Sequence, residues 1–399
     1  MNGAIEDPAA LAERRGKLAA LRAAGPAYPN DFARSHVVRQ VVEQHGAAGA
    51  EELEKRQATA TLAGRIVRRQ EVEGETLAVL EDASGAIQIC VSDAATGTSN
   101  HAAFRNWDLG DIVGAMGILY RAHAGELTLR CHELRLLVKS LRPVPDQAEL
   151  RRLVPMRSRV LAGIRELMRN TQYMEVETPL LQPAADAAAG RPLQTYHNAL
   201  ELKLYLRSAA SAHLQRLVIG GIEKVYEINR SFRDGAATQI EAEPTLMEVC
   251  CAYTNHHYMM GLLERVIGYA TRYALGATAV SCAGEPVDFG APFAQLRYAQ
   301  AAEKKPLEPT FIVDSPAHAA PRARRRDDDP ALAEHFTLIA GGEVIGEGLS
   351  LCNDPVAQAG CDADFVRALE YGMPPAAGAR LDVERLVRLL IGTDTPRPC

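Results

Sequence analysis

KVYEINRSFRDGAATQIEAEPTLMEVCCAY, residues 224–253, reads as two strands, KVYEINR and PTLMEVCCAY, paired around the loop SFRDGAATQIEAE. Downstream, FTLIAGGEVIG (336–346) reads as a hairpin centred on Gly341–Gly342, because adjacent glycines supply the positive φ a tight turn needs. Upstream, residues 157–169 place Val160, Ile164, Leu167 and Met168 at helical spacing, and YMEVETP follows as a short strand closed by Pro179. Residues 378–391, with Leu381, Leu386, Leu389 and Leu390, read as the start of a helix near the chain end. Strands separated by loops, with few helices between them, predict an antiparallel sheet in an α+β domain over residues 146–399.

The texture toward the N-terminus is different. TLAGRIVRRQ, ETLAVLED, AIQICVSD, DIVGAMGILY and LTLRCHELRLLVKS are short alternating or apolar runs separated by Gly, Asp or Ser. Five short strands between residues 58 and 145 fit a small OB-fold barrel. RPVPD (142–146) then reads as a linker, and residues 1–57 as a helical appendage with helices over 8–24 and 36–57.

The bulk numbers narrow the function classes. A chain of 399 residues, 47% hydrophobic and 24% charged, is long enough for two globular domains and ordinary in composition. Apolar runs fall well short of the ~20 residues of a membrane span, and the N-terminus has no apolar signal core, which predicts a cytoplasmic protein with no membrane partner. A net charge of −6 argues against nonspecific polyanion binding, although a local basic patch would suffice for a nucleic acid. The eight Cys lack CxxC spacing, so reduced thiols are expected rather than a zinc site. The charge run PRARRRDDDP (321–330) reads as a solvated loop.

Three segments, in order, resemble the signatures of the class II aminoacyl-tRNA synthetases. The helix followed by YMEVETPLLQ resembles motif 1, YEINRSFRD the start of motif 2, and GARLDVERLVRLL motif 3. HNALELKLYLR, LQRLVIGGIEKVYEINR and EPTFIVDSPAHAAPRARRRDD are similar to the lysyl branch. So are GRIVRRQ, WDLGDIVGAMG and CHELRLLVKSLRP in the barrel. The resemblance implies an anticodon-binding OB barrel and a catalytic domain that dimerises through motif 1. It implies ligase activity with ATP and Mg²⁺ as cofactors, and lysine and tRNA as partners.

Such an enzyme activates its amino acid by positioning the reactants and neutralising phosphate charge. By resemblance, Arg233 takes the place of the α-phosphate arginine of motif 2, and Arg385 that of the motif 3 arginine near the γ-phosphate; a planar guanidinium suits both. Glu248 takes a lysine-pocket position. The chain departs from the pattern elsewhere. Gly235 stands where motif 2 has an acid, and Gln239, Ile240 and Pro244 where the loop has a basic pair and the aromatic over adenine. Thr337 and Val344 stand at the metal carboxylate positions, and Val offers no hard oxygen for Mg²⁺. Glu343 is the adjacent substitute, but one residue along a strand faces the other way unless a bulge realigns it. Ser211 and Leu351 replace lysine-pocket acids, while Glu347 is an acid in place of an amide, so a ligand smaller or less basic than lysine is expected. Gly378 is followed by Arg380, Leu381 and Asp382, which put bulk and charge where closely spaced glycines admit the nucleotide.

The segments between Pro145 and Met156, and over 295–311, are short against the family, which removes a helix before motif 1 and a helical insertion. In the barrel, Arg65, Arg68 and Arg69 form a basic cluster, Gln88 and Glu133 match base-reading positions, and Leu77 replaces the stacking aromatic. Three functions remain open: a working lysyl ligase, a ligase for another amino acid or acceptor, and a non-catalytic paralogue that binds tRNA or a partner protein.

Overall fold

A computed structural model describes residues 8–122, 125–142, 148–184, 192–234, 242–282, 284–290, 292–301, 306–358 and 362–392, without the side chains of 148–150. Gly235, Gln239 and Ile240 lie outside the described residues, as does most of the linker stretch 142–146. The chain forms two compact units, Met1–Gln147 and Ala148–Cys399.

In the first unit, β1 (Thr59–Val72), β2 (Glu75–Asp82), β3 (Gly85–Val91), β4 (Ile112–Arg121) and β5 (Leu127–Val138) close a barrel in the order β1-β2-β3-β5-β4. Alternation explains the closure: Leu62, Ile66, Leu80, Ile89 and Leu129 turn inward and are essentially fully buried. Helices precede the barrel at α1 (Pro8–Ala24), α2 (Val38–His45) and α3 (Ala50–Arg56). Residues 36–57 are therefore two helices rather than one, parted at Gly46–Gly49. Val38, Val41 and Leu53 join the barrel's own apolar core. Helix α1 is held by charge: Lys17 donates to Asp108 at 2.7 Å and Arg14 to the Ser140 carbonyl at 3.1 Å. The two acids of WDLGD, Asp108 and Asp111, both bind the buried Lys139 ammonium. Short helices α4 (Asp93–Thr96) and α5 (Thr98–Asn106) fill the β3–β4 crossover.

The second unit is an eight-stranded sheet, β14-β15-β16-β17-β18-β11-β10-β6, antiparallel except for its two outermost pairings. Its strands are β6 (Met174–Glu175), β10 (Lys224–Arg230), β11 (Thr245–Ala252), β14 (Ala294–Arg297), β15 (Thr310–Val313), β16 (His335–Ala340), β17 (Glu343–Ser350) and β18 (Ala376–Asp382). A small separate sheet joins β7 (Leu181–Gln182), β9 (Leu202–Leu206) and β8 (Gln194–His197), and β12 (Ala279–Cys282) pairs with β13 (Glu285–Asp288). The fold is α+β, with a closed barrel and an antiparallel sheet. Two helices cover one face of the large sheet: α6 (Ala148–Asn170) and α8 (His256–Leu275). Val160, Ile164 and Met168 of α6 meet Leu263, Val266 and Ile267 of α8 over Met247 and Leu381 of the sheet. Helix α7 (Ser211–Ile219), α9 (Tyr298–Ala301), α10 (Ala363–Glu370) and α11 (Val383–Ile391) complete the unit.

Three expectations need correction. Residues 376–382 are strand β18, and the terminal helix starts only at Val383, because Ala377, Ala379 and Leu381 alternate into the core at the strand period of two. Helix α6 begins at Ala148, earlier than residue 157, and runs through Pro155, so the stretch before Met156 is helical after all. Helix α8 is a long covering helix that the reading of few helices did not name.

Candidate active site

One register row crosses the middle of the sheet. Glu227 pairs with Glu248, Glu248 with Arg380, Arg380 with Glu347, and Glu347 with Thr337. Directly paired residues share a face. The neighbouring row, Met247, Leu381 and Leu338, enters the core under α6 and α8. The charged row therefore occupies the opposite face. Burying charge there is tolerable only with partners. Arg207 binds Glu227 at 2.8 Å, with Thr178 donating to the same carboxylate at 2.6 Å. Glu248, 3% exposed, accepts the Ala210 N–H at 2.8 Å and the Asn229 amide at 3.2 Å. Burial nonetheless pushes its pKa above the usual carboxylate range. Arg380 binds Glu347 at 2.9 Å.

Above this row lies a cavity of about 970 Å³ whose lining includes Ser211, Glu248, Glu347, Leu351, Gly378 and Arg380. All the predicted amino-acid-site residues thus come together. Arg216 of α7 and Phe365 of α10 also line it, with the guanidinium 5.7 Å from the ring centre. Neither was marked in the sequence; α10 could have been found from its periodicity, but its place beside α7 is a tertiary fact.

Arg233 and Arg385 do not line the cavity; they lie beside it around Asp382. Asp382 caps α11, accepting the Arg385 N–H at 3.0 Å, and its carboxylate lies 3.4 Å from the Arg385 Nε. Arg385 also donates to the Val344 carbonyl at 2.6 Å. Arg233 is exposed, but crowding around its guanidinium and the charges of Arg380 and Arg385 lower its pKa. Burial raises the pKa of Asp382 against the pull of Arg385, Arg233 and Arg388.

The hairpin carries the bulge that a realignment requires. Leu338 faces Gly346 while Ile339 faces Val344, leaving Ile345 as the extra, fully buried residue. Gly341 and Gly342, at φ +59° and +75°, form the turn. Its effect is to place Glu343 at the tip, 3.8 Å from Arg388 and half exposed, with Val344 also at the surface. Thr337 faces Glu347, which is held by Arg380. Mg²⁺ needs several hard oxygens gathered at one point. Among the described residues no three carboxylate, His or Cys groups are gathered to hold a metal ion. The residues at these positions do not fit one: Val344 has no donor, and Glu343, Glu347 and Asp382 each face an arginine. Pro244, expected at the place of the adenine-stacking aromatic, is buried.

On the barrel, Arg65 donates to the Gly110 carbonyl and Arg69 to those of Phe104 and Trp107, so both guanidinia serve the barrel's own backbone. Arg68 is exposed and pairs across to Val79, which pairs with Gln88. Gln88 binds the Thr128 hydroxyl at 3.1 Å. Leu77 lies two residues from Val79 on the same outer face, and Glu133 is exposed further along β5. The charge run pairs largely within its own loop, Arg324 with Asp327 and Arg326 with Asp328.

Comparison with known proteins finds relatives over nearly the whole chain. Residues 135–397 match the family of class II tRNA synthetases (D, K and N). The chain is 35% identical to the lysine–tRNA ligase of Thiobacillus denitrificans, over 98% of this chain and 95% of the relative. It is 36% identical to that of Nitrosomonas europaea, over 97% and 94%. A third similar protein is the lysine–tRNA ligase of Paraburkholderia phymatum, 35% identical over 98% and 94%. The first of these alignments runs over 480 positions, more than the 399 residues here, so the relative carries segments that this chain lacks.

Proposed function

This chain belongs to the class II tRNA synthetases, in the lysyl-tRNA synthetase family, and from that premise we propose that it binds an amino acid and tRNA while forming little or no lysyl-tRNA. One observation carries the reading: the Arg380–Glu347 ion pair inside the amino-acid cavity. A lysine ammonium leaving water needs carboxylates free to receive it. Here Glu347 is neutralised by Arg380, Glu248 is committed to Ala210 and Asn229, and Ser211 and Leu351 bring no charge. The mismatch with a Mg²⁺ site adds to this. In the family ATP and Mg²⁺ are the cofactors; the two arginines Arg233 and Arg385 remain at the phosphate positions of this chain.

A ligase for another amino acid is the second reading, favoured by the apolar part of the cavity, where Leu214, Ile219, Leu351 and Phe365 suit a neutral side chain. Dimerisation through motif 1 belongs to the same proposal. It is supported by the exposed apolar side chains Met174, Leu181, Tyr196 and Leu202 on the strands that follow α6.

The test is ATP–pyrophosphate exchange by the full chain with Mg²⁺, screened across amino acids, alongside tRNA binding by filter retention. Retained tRNA without lysine-dependent exchange is the expected result. Exchange with lysine would overturn the proposal, and exchange with a neutral amino acid alone would select the second reading.

A further inference from the structure

The cavity extends well past the charged row. Glu347, Leu349 and Leu351 all line it, alternating along β17 and one residue beyond. At about 3.3 Å per residue, the run from Glu347 to Leu351 spans about 13 Å. Gly378 faces Leu349 across the strand pairing, so β18 puts no side chain on the floor between the two ends. Past Leu351 the cavity runs between α7 and α10, lined by Leu214, Ile219, Phe365 and Ala368. The wall there is a packed apolar cluster: Phe365, Leu369 and Met373 are buried, with Ala212, Ile219 and Leu351 against them. Arg216 and Asp362, both partly exposed, are engaged with each other at 3.4 Å. A wall packed in this way is pre-formed, and about 970 Å³ is near the upper end of the about 300–1,000 Å³ usual for ligand pockets.

We propose that this cavity takes an amino acid with a long apolar side chain, its zwitterionic head on the Arg380–Glu347 pair and its tail in the apolar end between α7 and α10. This deepens the second reading of the function and rests on the cavity being an amino-acid site. It concerns binding, and stands whether or not the chain activates what it binds. The head is matched by charge. Arg380 and Glu347 are 2.9 Å apart and each about one-third exposed, so the wall presents one cation and one anion side by side. A zwitterion pairs with both at once, carboxylate to guanidinium and ammonium to Glu347, and leaves the ion pair intact. A lone ammonium would instead compete with Arg380 for the carboxylate. The tail is matched by apolar surface, where each buried methylene leaves water at a gain. Lysine fits poorly, because seating its head leaves the side-chain ammonium against Leu351 without a carboxylate.

The experiment is calorimetric titration of the full chain with straight-chain α-amino acids, from norvaline through norleucine and α-aminooctanoate to α-aminodecanoate. Affinity should rise about fourfold per added methylene, the gain expected of full burial. Norleucine should bind at least about tenfold tighter than lysine, which adds only an unpartnered ammonium. α-Aminooctanoate should bind at least about tenfold tighter than octanoate or octylamine, each of which lacks one charge-assisted contact. Ala368→Phe, which fills the apolar end, and Leu351→Glu, which sets a carboxylate in its wall, should each flatten the series beyond norleucine, with the thermal midpoint showing that each variant is folded. A flat series in the wild type, lysine binding as tightly as norleucine, octanoate binding as tightly as α-aminooctanoate, or a series unaltered in both variants would each overturn the proposal. Tight binding of α-aminodecanoate without pyrophosphate exchange would support it while the second reading failed. Exchange with lysine would overturn the proposed function instead, and the chain-length series would still decide this one.

Discussion

Arg380 is the residue on which the chemistry of the cavity turns. It sits on β18 between Glu248 and Glu347 in a row of side chains that otherwise ends in Thr337. Its guanidinium lines the cavity as a tethered cation, paired with Glu347 at 2.9 Å. Removing it should expose Glu347 at little cost in stability. The pair is about one-third exposed, and such pairs contribute at most about 1 kcal/mol. Glycine inside a strand adds a similar entropic cost of about 0.5–1 kcal/mol. Arg380→Gly is therefore expected to remain folded and to gain lysine binding of at least tenfold over wild type by calorimetry, a difference of about 1.4 kcal/mol. Equal lysine affinity in the two proteins would show that Arg380 does not occupy the site. The converse holds for Lys139, whose side chain is 2% exposed beside the fully buried Asp111; there the ion pair is a structural fixture of the barrel.

At the scale of elements, α8 is fastened to β17 by its first residue. His256 donates its backbone N–H to the Ser350 hydroxyl at 3.0 Å, and its ring Nδ1 lies 3.3 Å from the same oxygen. Burial, then the neighbouring charge of His257, lowers the His256 pKa from 6.5 to about 4, against the opposing pull of Glu334. The folded protein thus holds this ring neutral where the unfolded chain would protonate it. Stability from His256 is fully present above about pH 6.5 and is lost as pH falls toward 4. The thermal midpoint should decline across that window, and His256→Asn should flatten the decline. Burial lowers the pKa of His213 and His335 in the same direction, so part of the slope should survive the variant. A midpoint independent of pH between 4 and 6.5 would contradict the assignment.

Elements were legible where local pattern and tertiary role agreed. KVYEINR and PTLMEVCCAY became β10 and β11 nearly to the residue, and Gly341–Gly342 became the turn, because an adjacent glycine pair has few other uses. Residues 378–382 misled because Leu381 fits both a helical stripe and a strand; pairing with β11 and β17 decides it, and that is a long-range fact. Helix α8 was legible in principle. Asn255 caps it, Gly276 ends it in the left-handed region, and Met259, Leu263, Val266, Ile267 and Ala270 mark its buried face. Of the candidate site, Glu248, Ser211 and Glu347 were singled out in the sequence one at a time, and they line one cavity. What single positions could not give is that Arg380 and Glu347 face each other, since that depends on the register of β17 against β18, a pairing between segments distant in sequence.

The whole molecule combines a sheet unit that carries the charged cavity with a closed barrel whose outer face carries Arg68, Leu77 and Gln88. Of the barrel's basic cluster, Arg65 and Arg69 are spent on backbone carbonyls, and Arg68 remains open to solvent beside Val79 and Gln88. Leu77 lies on this same face, partly exposed, where a base could rest on it. Leucine offers apolar contact but no π-face, and base–aromatic stacking is worth about 1–3 kcal/mol. If the barrel still engages a single-stranded loop of tRNA, Leu77→Phe should tighten binding by about fivefold or more, corresponding to the lower end of that range. Charge and stacking can be told apart by salt. The slope of log affinity against log salt counts phosphates neutralised, so Leu77→Phe should shift the line without changing its slope, whereas Arg68→Ala should reduce the slope by roughly one contact. An unchanged affinity for Leu77→Phe would mean that this face of the barrel no longer meets a base, and that any tRNA retained by the protein is held elsewhere.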